Sequence, residues 1–329
     1  EVTSADIGST ISRYAYDNIG NNLWVSVNAA TNFYSANALN QYTAIDTTTL
    51  AYDADGNLLT NGDWSYTWDA ENRLVATYSN NVCVVSNAYD HASRRVLKIT
   101  PTATHTYVYD GWNLVQETIS TAFGTTTNHY VWGKDLSGTM QGAGGVGGLL
   151  AVSLNSTWYF PFYDNNGNVL AYVNEQGAIA AEYTYDAFGR TIAQSGIMAD
   201  AFAFRFSTKY YDAEIGLYYY GYRFHSPELM RWLNRDPTGE RGGLPLYGFC
   251  GNDPVNKWDY LGKETITVPK CHAYLILGHM IKSKPILWNF PDDCAFGGAV
   301  GCWPMMNNPE KPDNRWPNVP IHEHTMLEG

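Results

Sequence analysis

One short phrase recurs along most of this chain. It consists of an aromatic residue, Asp, two further residues, Gly or Asn, Asn or Arg, and then an apolar residue. It reads Tyr16-Asp17-Asn18-Ile19-Gly20-Asn21-Asn22-Leu23, Tyr52-Asp53-Ala54-Asp55-Gly56-Asn57-Leu58 and Trp68-Asp69-Ala70-Glu71-Asn72-Arg73-Leu74. Looser copies start at Tyr89-Asp90 and Tyr109-Asp110. Cleaner ones return at Tyr163-Asp164 and Tyr185-Asp186, and Tyr211-Asp212 opens a last variant. The gaps between successive aspartates are 36, 16, 21, 20, 54, 22 and 26 residues. Most are near twenty, so the two long gaps are expected to hide degenerate copies or an insertion.

Each copy reads as a β-hairpin. The aromatic ends a strand of alternating pattern, as in Tyr14-Ala15-Tyr16 and Tyr107-Val108-Tyr109. Asp accepts backbone N–H groups two residues on and closes the turn. Gly takes the positive φ of a tight hairpin, and the apolar residue starts the return strand. Such a unit is too small to bury its own core, so units must stack side by side. Tyr and Trp recurring at the repeat period are expected to pack that core rather than bind sugars. His91, His105 and His129 fall in strand contexts and are read as surface or half-buried residues without chemistry. Leu136 to Gly148, with six glycines, is read as an exposed loop.

Composition narrows the function. Net charge is −12, and no Lys/Arg cluster exists, which argues against a nucleic-acid partner. No apolar run reaches ~18 residues, so no transmembrane helix is expected. The first residue is Glu1 and nothing there resembles a signal peptide; the chain is read as processed or cut from something longer. Five cysteines cannot all pair within the chain.

The phrase resembles the YD repeat of RHS proteins, relatives of the Tc toxin C component and of teneurins. The resemblance is strongest from Phe206 to Gly262, which contains Tyr210-Tyr211-Asp212, Gly221-Tyr222-Arg223-Phe224, Arg235-Asp236-Pro237-Thr238-Gly239, Asn252-Asp253-Pro254 and Asp259-Tyr260-Leu261-Gly262. This stretch is similar to the RHS repeat-associated core. The resemblance implies an all-β fold, in which stacked YD-repeat hairpins form a spiralling, cocoon-like shell with a small irregular C-terminal segment. It divides the chain into a repeat shell (1–205), the core (206–263) and a variable segment (264–329).

In that family the shell encloses a variable C-terminal segment, commonly a toxin. Two core aspartates form an aspartic-protease-like pair that cuts the chain just after the core. The matching positions are Asp236 and Asp259, 23 residues apart, with Arg235 matching a position suited to orient the pair. Two close carboxylates cannot both ionise, so one holds a proton as acid while the other activates water as base. The competing reading is structural, because Asp-Pro-x-Gly is also a turn phrase. The chain departs from the family pattern at Tyr260 and Lys263, where Pro and Leu are usual. Lys263 is the residue that would precede the cut.

The last 66 residues differ in composition, with eight of 14 prolines, three of five cysteines and four of eight histidines. Cys271 with His279, His322 or His324 offers a nucleophile and base; Cys294, Cys302, His322 and His324 offer metal ligands in no regular spacing. A Cys294–Cys302 disulfide or plain buried thiols fits better, and no metal or cofactor is expected. The expected function is therefore a secreted or cell-surface shell that sequesters its own C-terminal segment. It would work with a missing N-terminal shell portion or a delivery protein. The alternative is a non-catalytic extracellular adhesin or scaffold, and a third reading makes the tail itself an enzyme.

Overall fold

A computed structural model describes residues 1–243, 245–267, 294–296 and 302–304. It divides into two units, Glu1–Val268 and Pro269–Gly329. In the second unit the described strands are Cys294–Phe296 and Cys302–Pro304, paired antiparallel. Cys271, His279, His322 and His324, and the side chains of Cys294 and Cys302, lie outside the described residues.

The first unit holds a 19-stranded antiparallel sheet running from Ser4–Ile7 to Thr191–Ser195. Each strand pairs with its neighbours in sequence, giving a continuous meander. The described residues include no α-helix and no helix able to cross a membrane.

The repeat phrase maps onto alternate turns. At Asp17, Oδ1 accepts the N–H groups of Ile19 and Asn21 at 3.0 and 2.9 Å, and Oδ2 accepts Asn21 Nδ2 at 2.8 Å. Asn57 on Asp53 and Asn168 on Asp164 repeat the last bond. Where the phrase has Arg, its Nε takes the same place, as with Arg73 on Asp69 and Arg94 on Asp90, each at 2.8 Å. This is why Asn and Arg alternate at that position: each donates to the free carboxylate oxygen.

The long gaps do hide degenerate copies. Asn37 closes a turn on Leu39 and Gln41 through its carboxamide oxygen, and Asp135 heads a turn closed by Gly138 and Ser137. Asn174, in a turn at the opposite end of the sheet and outside the long gaps, bonds Gln176 and Ala178 in the same way. Asp110 and Asp212 depart from the pattern. Asp110 opens a two-residue turn, and the Asp212 carboxylate is spent on Arg95 and Lys98.

The aromatic residue links copies. Tyr89 Oη and Trp68 Nε1 donate to the carbonyls of Leu74 and Leu58, the apolar residue of the preceding copy. Tyr109 on Arg95, Trp132 on Leu114 and Tyr185 on Val169 follow the same rule. An amphipathic ring with one polar handle suits this position, which accounts for Tyr and Trp and not Phe. Just before this aromatic the register slips by one residue, at Ala15/Tyr16, Ala51/Tyr52, Thr67/Trp68, Ala88/Tyr89 and Thr184/Tyr185. Such bulges bend a strand and add twist, and repeated once per copy they coil the sheet. The coil returns on itself: Tyr14, near the start, packs edge-on against Phe188, with ring centroids 5.4 Å apart.

Segment 206–262 packs against the turn end of the coil. Its own short strands form a four-stranded sheet from Tyr210–Asp212 to Arg231–Trp232. Arg231 donates to Asn21 and to the Asn40 carbonyl, Tyr247 to Gly56, Asn234 to Asn72, and Tyr218 to Gly189. Gly56 is required here: its φ is +87°, and a Cβ would sit 2.5 Å from Tyr247 Oη. Inside the coil, Arg95 and Lys98 hold Asp212, while Glu117 accepts Tyr210, Tyr130 and His105.

Two expectations need correction. Leu136 to Gly148 is not an exposed loop, because Leu136, Ala143 and Val146 are buried. Asp135 Oδ2 binds the N–H groups of Ala143 and Gly145, and the missing side chains let this backbone pack closely. His105 is buried and bonded to Glu117 rather than idle, while His91 and His129 are exposed. The recurring Tyr residues do form the core, among them Tyr14, Tyr66, Tyr107, Tyr130 and Tyr172.

Candidate functional site

Asp236 and Asp259 converge on one side chain, that of Arg223. Its Nη2 lies 2.6 Å from Asp236 Oδ2 and 3.7 Å from Asp259 Oδ2. The guanidinium is buried over the Trp232 ring, at 4.2 Å from the centroid. Its remaining donors go to backbone, with Nε on the Gly262 carbonyl and Nη1 on that of Leu246.

Asp236 divides its two oxygens between a local turn and Arg223. Its Oδ1 accepts Thr238 N–H at 2.7 Å and the Thr238 hydroxyl at 2.5 Å, which is the turn, and its Oδ2 faces Arg223. Asp259 is more deeply buried, on the strand Lys257–Tyr260 that pairs with Glu264–Thr267. Leu261 and Gly262, both at positive φ, and Lys263 make the turn between these strands. Asp259 Oδ1 accepts the Lys263 N–H at 2.8 Å. The Gly262–Lys263 peptide is thus gripped at both ends, its carbonyl by Arg223 and its N–H by Asp259.

Burial pushes the Asp259 carboxyl up to about 6, and the Asp236 charge adds to this. Arg223 and the turn N–H groups oppose it without cancelling it. The same burial lowers Arg223 from its ordinary value. Asp259 is therefore a carboxyl that holds its proton in mildly acidic solution, beside a second carboxylate engaged with a cation.

Arg235, the arginine expected to orient the pair, lies elsewhere. A Cβ on Gly56 would meet its Nε at 2.7 Å, in the company of Tyr247. Arg223 is the arginine that contacts both carboxylates. Its residue number gives no local clue, since it stands 13 residues before Asp236 with no turn or periodic pattern joining them. The motif Gly221-Tyr222-Arg223-Phe224 was the only available signal.

Behind the turn, Lys209 is buried and donates to the Gly144 carbonyl at 2.6 Å. Burial pulls its amine down to about 8. Gly144 in turn leaves just enough room for Leu261, 3.2 Å from where its Cβ would be. The glycine-rich stretch therefore braces the turn that Asp259 and Arg223 hold. A cavity of about 40 Å³ lies here, between Trp112, Gly144, Lys209, Tyr220 and Leu261. No cluster of three or more His, Cys, Asp or Glu among the described residues is arranged to hold a metal ion.

Comparison with known proteins follows the fold. Against solved structures, the TcdB2–TccC3–Cdc42 crystal structure matches with a TM-score of 0.50 and 18% identity, covering 78% of this chain and 17% of that one. Among curated proteins, tRNA nuclease WapA of Bacillus subtilis is 30% identical over 263 residues, 76% of this chain. Double-stranded DNA deaminase toxin A of Burkholderia cenocepacia is 28% identical over 260 residues, 68% of this chain. This chain spans only 11% of WapA and 18% of the deaminase toxin. The teneurin YD-shell family profile matches residues 1–255. The repeat phrase, the coiled meander and this match agree, and the chain belongs to the teneurin YD-shell family of RHS/YD-repeat proteins.

Proposed function

We propose that this chain is the closing part of a toxin-type RHS shell, that it sequesters the segment after residue 263, and that it cuts itself after Lys263. The observation that carries the cleavage is the shared hold on one turn: Arg223 joins Asp236 to Asp259, and Asp259 binds the N–H of Lys263. Asp236 serves as base and Asp259 as acid, given the raised affinity of Asp259 for its proton. Water adds its oxygen to the Lys263 carbonyl carbon and gives a proton to Asp236. The bond to the Glu264 nitrogen breaks, and that nitrogen takes the proton from Asp259. Arg223 positions both carboxylates and steadies the turn.

Sequestration is supported by the relatives. A nuclease and a deaminase, with different named activities, each match this chain over about 260 residues, and the family match stops at residue 255. A stretch common to proteins of different named activity supports a role as a shared shell. A secreted or cell-surface location follows from this reading, with further shell or delivery protein supplied from outside this chain.

Intact mass of the denatured protein tests the cleavage. The parent is expected as two fragments split after Lys263, and Asp236→Asn and Asp259→Asn as single chains, cut at least ~10³-fold more slowly. A single full-length parent mass overturns it and leaves the non-catalytic scaffold standing.

A further inference from the structure

Lys263 raises a question that the carboxylates do not answer. A long cationic side chain stands beside the bond to be cut, and something must receive it. The Lys263 ammonium sits over the ring of Tyr222, 3.3 Å from its centroid. Tyr222 is backed by Trp112, with ring centroids 4.8 Å apart and planes tilted by 51°. A cation over the face of an aromatic ring is attracted by the ring quadrupole, and the attraction grows as water is removed.

The platform is built into the cutting turn. Tyr222 N–H donates to the Leu261 carbonyl at 3.0 Å, so its backbone is tied to the turn. Tyr222 immediately precedes Arg223, whose Nε holds the Gly262 carbonyl. One dipeptide thus supplies the orienting guanidinium and the ring beneath the lysine. Trp112 is fixed from the other side, its N–H on Gln141 Oε1 at 2.9 Å and Gln141 Nε2 on the Asp110 carbonyl at 2.8 Å. Gly221 makes room for it, since a Cβ there would lie 3.1 Å from the Trp112 ring.

We propose that Tyr222, backed by Trp112, is the side-chain subsite that selects Lys263 as the residue preceding the cut. The subsite prefers a cation. It turns the lysine from an obstacle into an anchor that holds its carbonyl in register with Asp236 and Asp259. This inference rests on the cleavage reading above.

The test is a time course of cleavage during cell-free synthesis of the full chain, read as conversion of full-length protein to fragments. Tyr222→Leu and Lys263→Glu should each slow the cut by roughly three- to thirtyfold, the range such a contact spans. Tyr222→Phe keeps the ring and Lys263→Arg keeps the cation, so both should stay near the parent rate. Combining Tyr222→Leu with Lys263→Leu should recover much of the loss, because an apolar pair replaces the cation and ring. Equal rates in all these chains, with a parent that cuts, overturn the subsite and leave the cleavage intact. A parent that never cuts overturns both. If Tyr222→Leu does not fold, the Lys263→Glu and Lys263→Arg pair decides the matter from the other side of the contact.

Discussion

The aspartates of the coil and those of the closing segment do different work with the same carboxyl group. In the coil, Asp17 and Asp90 lie near the surface, and each takes up N–H groups of its own turn. Burial opposes the charge, but the bonds from Asn21 and from Arg94 outweigh it and hold both below the usual carboxylate range. In the closing segment, Asp212 and Asp259 are buried and reach arginines outside their own turns, Arg95 in the coil and Arg223 within the segment. The first kind stabilises a turn that its neighbours already define. The second kind assembles places that exist only once the coil is wound. Asp236 belongs to both, with one oxygen in a local turn and one on Arg223.

Breaking a long-range aspartate should cost most. Asp212→Ala leaves the buried Arg95 without its anion and Lys98 with Glu214 alone, and is expected to lower stability by about 3–5 kcal/mol. Urea unfolding measures it, and a loss under about 1 kcal/mol would place Asp212 with the turn residues. A local aspartate should cost less. Asp164→Ala strands the donors of Asn166 and Asn168, for about 1–3 kcal/mol by the same measurement. Asp90→Ala, at a more exposed turn, should cost less than Asp164→Ala, and equal losses would contradict the role given to burial.

The pH dependence separates Asp259 from Asp90 by sign. Asp259 is raised to about 6, so the folded chain keeps a proton that the unfolded chain has lost. Its contribution is full below about pH 4 and is lost as pH rises through about 6, at no more than about 1.4 kcal/mol per pH unit. Asp90 acts the other way, with its contribution present above the unfolded value and lost as pH falls. Subtracting the stability profile of Asp259→Asn from that of the parent should give a curve falling from pH 4 to 6. A flat difference would remove the raised carboxyl from the account. The cut itself should slow as pH climbs past about 6 and Asp259 loses the proton it donates, roughly tenfold per unit once ionised.

The repeat was legible because its physics is local. Asp, two spacers and Gly specify a turn without help from elsewhere, and Asn37 and Asn174 perform it with a carboxamide because only one oxygen must accept the N–H groups. Asn37 thereby fills the gap between Asp17 and Asp53 without an aspartate. The glycine-rich stretch hides its burial, because glycines carry no hydrophobic pattern, although Leu136 and Val146 are buried. At the candidate site, Asp236 and Asp259 stood in recognisable phrases. Arg223 did not, and the adjacent Arg235 drew attention that its position against Gly56 does not support. Convergence across the fold is what a linear reading misses.

The meander also fixes an order of assembly. Pairing between neighbours keeps loop closures short, so the coil can wind from any point without waiting for distant strands. The closing segment is different: Gln41 meets Tyr247 across 206 residues, and Asn21 meets Arg231 across 210. Those contacts carry the larger loop-closure cost. Arg223, Asp236 and Asp259 stand in that segment, so their constellation matures only after the preceding turns are in place. On the proposed reading the fold works as a clock, in which completion of the wall is the event that arms the cleavage.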